Sequence, residues 1–223
     1  MATNMVRRLG VIGDVHAEDE LLQAAVDCLR TEGAELVVCT GDLCDGGGNV
    51  EACCELVAQE QIITVRGNHD RWCLTGRARD LPGATQLEGL SDWARSFLEQ
   101  LPPSVELAAE GGPLLLCHGI GDNDMGQLKA ADEGYALDNN WELQQILRDD
   151  HFRYMVAGHT HEEMVRRLGR MTVINAGTLS REHQSGFVLV DFGGAVAQFF
   201  HFEEGGITPS TPINLIDLDG YEA

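Results

Sequence analysis

Basic residues are scarce in this chain: 15 Lys and Arg face 36 Asp and Glu, for a formal net charge of −21 at pH 7. So acidic a chain repels polyanions over most of its surface, and no Lys/Arg stripe offsets that field. Long nucleic acids and anionic membranes are therefore not expected partners, and most of the carboxylates serve solubility. Paired cysteines are also lacking. The seven cysteines form no C-x-x-C motif, their number is odd, and Cys39 and Cys117 sit inside apolar runs. Reduced, structural thiols are expected rather than a disulfide framework. Of the adjacent Cys53 and Cys54, one should be core and the other partly exposed. No apolar run approaches the roughly 20 residues of a membrane span. The opening MATNMVRRLGVIGDVH shows no signal core with a cleavage site, so a cytoplasmic location is the expectation. No Pro/Ser-rich linker or internal repeat divides the chain, and residues 1–223 are expected to form a single domain.

What is present is an alternation of strand and helix. RLGVIG (8–13) is followed by a stretch whose Leu21, Leu22, Ala25, Val26 and Leu29 recur at helical spacing before Gly33. ELVVCTG (35–41), the helical NVEACCELVAQE (49–60) and QIITVRG (61–67) extend this to β-α-β-α-β with parallel pairing. A helix over 90–101 stops at Pro102 and Pro103. Strands then crowd together at 104–109, 112–119, 152–159, 164–169, 171–177, 185–192 and 195–202, with a helix near 139–149. Segments 72–89 and 120–138 carry little periodicity and read as rim or lid loops. Residues 203–223 read as an acidic tail, surface-laid or mobile.

The reactive residues fall at the strand ends. VIGDVH carries Asp14 and His16, CTGDLCD carries Asp42 and Asp45, and VRGNHD carries Asn68 and His69. LLCHG supplies His118, and AGHTH supplies His159 and His161. Loops beyond the carboxyl ends of parallel strands converge on one crevice, so these clusters should meet. In an extended segment the period of two sends His159 and His161 to the same side. Hard oxygen donors mixed with imidazoles suit divalent first-row ions such as Mn²⁺, Fe²⁺, Ni²⁺ or Zn²⁺ better than Ca²⁺. Seven ligands exceed the needs of one ion and match two that share a carboxylate.

In this order the blocks D-x-H, G-D-x-x-D, G-N-H-D, G-H and G-H-x-H resemble the calcineurin-like metallophosphoesterase superfamily over about residues 8–192. The resemblance implies a four-layer α/β/β/α sandwich of two mixed β-sheets flanked by helices, in agreement with the strand count. It implies Asp14, His16 and His161 on a first metal, Asn68, His118 and His159 on a second, and Asp42 bridging them. His69 matches the family's catalytic histidine, and Asp45 falls where some members keep a carboxylate that orients it. Arg71, close to Asn68 and His69, is a candidate for holding substrate phosphate, with a surface salt bridge as the alternative.

INAGTLSREHQSG (174–186) resembles the N-P-G-S stretch of compact bacterial members, although Ala176 and Thr178 depart from it. The branch so implied is that of small phosphodiesterases and diadenosine-tetraphosphate-type hydrolases. The expected substrate is a small phosphate ester or nucleotide, and the expected cofactor is a pair of divalent ions, Mn²⁺ foremost, with Fe, Ni or Zn as alternatives. After Asp45 the chain reads GGG where phosphoprotein phosphatases have a phosphate-binding arginine, which counts against that alternative. A non-catalytic scaffold of the same fold should have eroded ligands, and a repair nuclease should have basic surface; neither pattern is seen. His151, His183 and His201 fit no block and read as ordinary histidines, and Asp122 and Asp124 as loop polarity.

Overall fold

Residues 5–218 and 220–221 are described by the computed structural model. The first half alternates β1 (Arg8–Ile12), α1 (Asp19–Thr31), β2 (Leu36–Cys39), α2 (Val50–Gln59), β3 (Ile63–Thr64), α3 (Asn68–Thr75) and α4 (Asp92–Gln100). The second half comprises β4 (Ser104–Ala109), β5 (Gly112–Cys117), α5 (Tyr135–Asp138), α6 (Trp141–Asp149), β6 (Tyr154–Ala157), β7 (Glu163–Leu168), β8 (Met171–Ala176), β9 (Gly186–Asp191) and β10 (Val196–Glu203). Three short strands close the chain: β11 (Gly206–Pro209), β12 (Ile213–Asn214) and β13 (Gly220–Tyr221).

Local chemistry sets the helix ends. Asp19 and Glu20 occupy the first turn of α1, where carboxylates suit the positive end of the helix dipole. Asn49 and Ser91 cap α2 and α4 by accepting backbone N–H groups of Ala52 and Ala94.

Two mixed sheets result. One runs β11-β10-β9-β1-β2-β3 with β12 also on β10, and the other runs β13-β7-β8-β6-β5-β4. In the first, β1, β2 and β3 are parallel; in the second, β5, β6 and β8 are. Side-chain alternation divides the core into three apolar clusters. Leu9, Val11 and Val38 meet Leu114, Leu116, Val156 and Ile174 between the sheets. Ile12, Val37 and Cys39 pack instead with Leu22 and Leu29 of α1, Val57 of α2 and Leu98 of α4. Leu115, Cys117, Met155 and Val173 pack with Leu137 and Leu143 of α5 and α6. Helix, sheet, sheet and helix are therefore stacked as four layers, each fully buried Leu or Val contributing about 1.5–3 kcal/mol.

Three expectations are corrected. The strand expected over 61–67 pairs only at Ile63–Thr64, because the Arg66 N–H is taken by the Pro102 carbonyl and the chain turns into α3. The loop expected over 72–89 begins inside α3, which ends at Gly76 in the left-handed region (φ 67°). Cys53 and Cys54 are both buried, at the junction of α2 with the sheet, and all seven cysteines are unpaired. The tail is laid on the sheets: β11 and β12 pair with β10, and β13 pairs with β7; residues 219, 222 and 223 of that stretch lie outside the described residues. Among the described residues no helix is long and apolar enough to cross a membrane.

Candidate metal centre

The carboxyl ends of β1, β2 and β3 in one sheet and of β5 and β6 in the other open onto a single crevice. Asp14 and His16 follow β1, Asp42 and Asp45 follow β2, and Asn68 and His69 open α3. His118 follows β5, and His159 and His161 follow β6. Five of these residues have left-handed backbones: His16 (φ 49°), Asp42 (48°), Asp45 (67°), His159 (67°) and His161 (58°). Non-glycine residues in that region cost roughly 1–3 kcal/mol each, so the fold holds strain where it gathers these side chains. Glycine makes the approach possible at two points. A Cβ on Gly158 would run into Asp14 and Thr40, and one on Gly67 into the Asp42 carboxylate.

The side chains meet closely. His16 Nε2 lies 3.0 Å from His161 Nε2, which is 3.2 Å from Asp14 Oδ2. His118 Nε2 lies 2.9 Å from Asn68 Oδ1 and 3.3 Å from Asp42 Oδ2. Among the described residues, ligand atoms of His, Cys, Asp and Glu within 4.8 Å of one another form three groups: Asp14, His16 and His161; Asp14, Asp42 and His118; and His16, Asp42 and His69. The first is the set expected for one metal. The second joins the expected bridge to a ligand expected for the other. The third brings in His69, which sequence reasoning had kept apart from the ligands. His159 joins none of the three; its backbone N–H donates to Asp14 Oδ2 (2.8 Å) and its ring stands 5.2 Å from that of His118.

The donor chemistry fits cations. His118 Nδ1 donates to the Thr40 carbonyl (2.8 Å), so in the neutral ring Nε2 carries a lone pair aimed at two oxygens that only accept. His16 Nδ1 likewise donates to the Asp45 carbonyl (2.8 Å), leaving its Nε2 lone pair facing the cluster. Lone pairs converging on a buried point need a positive centre between them. Burial alone would depress the His118 pKa, but Asp42 and Asp14 outweigh it and raise it. Burial pushes Asp42 upward, with Asp14 and Asp70 adding to the effect. Asp14 is held well below the usual carboxylate range, because His118, His161 and His16 together overcome its burial. His159 is pushed down to about 4, first by burial and then by His118, which keeps its ring neutral.

Beside the cluster, His69 Nδ1 bonds Asp45 Oδ2 at 2.7 Å, the pairing expected of these two residues. Arg71 spends Nε and Nη2 on Asp124 at 2.5 and 2.8 Å. Asp124, read from sequence as loop polarity, is thus an ion-pair partner at the rim. Two other residues were missed. His183 stands with its ring 4.8 Å from His161 and lines the same cleft. Arg79 grips Asp45 through both carboxylate oxygens, at 2.7 and 2.9 Å. Arg79 lies in an aperiodic segment and no local pattern announced it. Asp70, the last residue of G-N-H-D, is buried and accepts N–H groups of Gly67 and Cys44, tying the second and third site loops together.

The profile of the calcineurin-like phosphoesterase superfamily domain matches residues 8–194, from the start of β1 to just past β9. The chain belongs to the calcineurin-like phosphoesterase superfamily. It is 27% identical over 117 residues to an uncharacterised protein of Methanocaldococcus jannaschii, covering 49% of this chain and 48% of that protein. It is 31% identical over 88 residues to serine/threonine-protein phosphatase 1 of Salmonella typhimurium, covering 39% of this chain and 40% of that protein. The chain thus spans less than half the length of the curated relatives it matches. A metallophosphoesterase structure from Sphaerobacter thermophilus shares the fold, with a TM-score of 0.67 at 19% identity over 89% of both chains. The matched region contains every strand end that opens onto the crevice of Asp, Asn and His side chains.

Proposed function

We propose that the protein hydrolyses a small phosphate ester, a phosphodiester or dinucleoside polyphosphate before all others, with two divalent cations bound in the crevice. The observation that carries this reading is the His118 lone pair facing Asn68 and Asp42, a geometry that a divalent cation completes. Asp14, His16 and His161 would hold one cation, Asn68, His118 and His159 the other, and Asp42 both. Mixed oxygen and imidazole donors suit first-row divalent ions; Mn²⁺ is the ion proposed, with Fe, Ni and Zn as alternatives. When bound, such a pair supplies an activated water and neutralises charge developing on the phosphoryl oxygens.

The protein's own groups do the rest. Asp45 accepts the Nδ1–H of His69 and favours the doubly protonated ring, so Nε2–H is the group to hand a proton to the departing alcohol, leaving a neutral imidazole, for a gain of about 10²–10⁴ in rate. The cleft over His69 has a volume of about 470 Å³ and is walled by His16, Leu81, Pro82, His161 and His183. That space suits a small molecule. A wider groove of about 810 Å³, lined also by Leu21, Phe202 and Ile207, adjoins it through Arg181 and His183 and would take a second ester arm. This is why a diester is preferred to a monoester. Arg71, beside His69 and held by Asp124, would meet a phosphate oxygen at the rim. The seven unpaired cysteines support a reducing compartment, and the chain would work in the cytoplasm.

The match to a serine/threonine-protein phosphatase favours a second reading, hydrolysis of phosphoproteins, but GGG after Asp45 leaves out an arginine that such enzymes place there. One screen decides between them. The Mn²⁺-loaded protein is assayed against phosphodiesters, dinucleoside polyphosphates, phosphomonoesters and phosphopeptides. Turnover of diesters or dinucleoside polyphosphates above the rest supports the first reading, phosphopeptide turnover the second, and no turnover of any class would refute both.

A further inference from the structure

The segment between α3 and α4 is latched onto Asp45. Asp45 Oδ1 accepts from Arg79 Nη1 (2.7 Å) and from the Thr85 backbone N–H (2.8 Å). Its Oδ2 accepts from Arg79 Nη2 (2.9 Å) and His69 Nδ1 (2.7 Å). Four donors fill the roughly four lone-pair sites of a carboxylate. The Asp45 N–H donates in turn to Thr85 Oγ1 (2.9 Å), and the Gly46 N–H to the Gly83 carbonyl (3.0 Å).

Arg79 is as fully engaged as its partner. Nε donates to the Arg77 carbonyl (2.6 Å), and Nη1 donates both to Asp45 and to the Thr85 carbonyl (2.7 Å). With Nη2 on Asp45, four of about five N–H groups are committed, and no free fork is left for a phosphate. Its side chain is only 13% exposed. The sequence has no arginine directly after Asp45, yet the fold delivers one to the Asp45 carboxylate from 34 residues downstream.

We propose that Arg79 is a positioning residue of the reaction: by fixing the Asp45 carboxylate from both oxygens, it fixes the orientation of His69 and leaves Nε2 turned to the cleft. The proposal rests on the phosphoesterase reading above and assigns no substrate contact to Arg79. A bidentate arginine serves this purpose better than a lysine, whose point charge would hold the carboxylate without setting its plane.

The test compares Arg79→Ala and Arg79→Lys with Asp45→Asn and His69→Ala, all Mn²⁺-loaded. Two esters of one phosphodiester scaffold are used, one releasing an alkyl alcohol and one a nitrophenol. Arg79→Ala should lose about 10- to 100-fold in kcat on the alkyl ester, the scale of misplacing a reacting group, and much less on the nitrophenyl ester. KM and metal stoichiometry should stay as in the wild type, and Arg79→Lys should recover part of the loss. In the Asp45→Asn background, Arg79→Ala should add little. Ring ¹⁵N shifts give a readout besides turnover: once the imidazolium has given up one proton, His69 should keep the other on Nδ1 in the wild type and populate both tautomers in Arg79→Ala.

Equal losses on the two esters, a raised KM at unchanged kcat, or a full additional loss in the Asp45→Asn background would overturn the assignment. Wild-type protein that cleaves neither ester would remove the phosphoesterase reading and the proposal together. A His69→Ala variant without leaving-group bias would remove the proton-transfer role of His69, and with it that of Arg79.

Discussion

His118 Nε2 and Asn68 Oδ1 face each other at 2.9 Å inside the crevice, one a lone pair once Nδ1 has donated to Thr40, the other an acceptor. Two acceptors this close repel unless a proton or a cation lies between them. Loading with Mn²⁺ should therefore displace a proton and bind two ions per chain. Metal analysis after removal of free ion should return two, and the melting temperature should rise with metal concentration, by the equivalent of about 2.7 kcal/mol at a hundred times Kd. His118→Ala should keep one ion and lose the other. A wild-type ratio of one or less would contradict a dinuclear centre.

Asp42 contacts both halves of the cluster, His16 at 4.0 Å and His118 at 3.3 Å. Asp42→Asn should nearly abolish turnover and lower the metal count at both positions, because on the proposed assignment one carboxylate would serve two ions. His16→Ala should weaken only the first position, so that excess Mn²⁺ restores part of its rate. Near-normal turnover of Asp42→Asn, measured at saturating metal, would show that the bridge lies elsewhere.

The 2.7 Å bond between His69 and Asp45 sets up the third expectation. An alkoxide of high pKa departs poorly unless protonated, whereas a nitrophenolate needs little help. His69→Ala should lose about 10²–10⁴-fold on an alkyl ester and far less on the matched nitrophenyl ester, with both metals retained. Asp45→Asn should show the same bias more weakly. Parallel losses on the two esters would mean that His69 holds the phosphate or, as its place beside His16 and Asp42 allows, a metal.

Far from the crevice, Asp191 links β9 to the chain start. It accepts the Gly194 N–H at 2.7 Å and lies 3.6 and 3.9 Å from the Nε atoms of Arg7 and Arg8. The Gly194 bond first, then the arginines against a small desolvation cost, lower its pKa. A carboxyl depressed on folding contributes stability above its unfolded pKa of about 3.9 and loses it as pH falls through the folded value. Asp191→Asn should cost about 0.5 kcal/mol at pH 7 after solvent screening and less at an acid pH below the ordinary carboxylate pKa. Urea unfolding of the metal-free chain at both pH values checks this, and a gap that does not shrink in acid would refute it.

That the five clusters holding the candidate ligands and His69 would meet was legible because each cluster carries a glycine at the end of an apolar run, where strand physics alone sends loops to one edge. The layers were legible for a similar reason: residues such as Val11 and Ile12, or Leu114 and Leu115, alternate between two apolar surroundings, and that period is written locally. α3 was not, since eight residues opening with Asn68 and His69 carry too few apolar positions to show a helical period.

By itself, then, the sequence determined which residues end strands, which faces are apolar, and that one crevice would collect Asp14, His16, Asp42, Asn68, His118, His159 and His161. Tertiary structure alone decided which of them touch, that His159 stands apart from the tightest groups, and that Arg79, Asp124 and His183 belong to the site. The physical reason is range. Periodicity and turn chemistry act over a few neighbouring residues, whereas the Arg79–Asp45 and Arg71–Asp124 pairs span 34 and 53 positions and form only once the packed sheets have brought unrelated loops together.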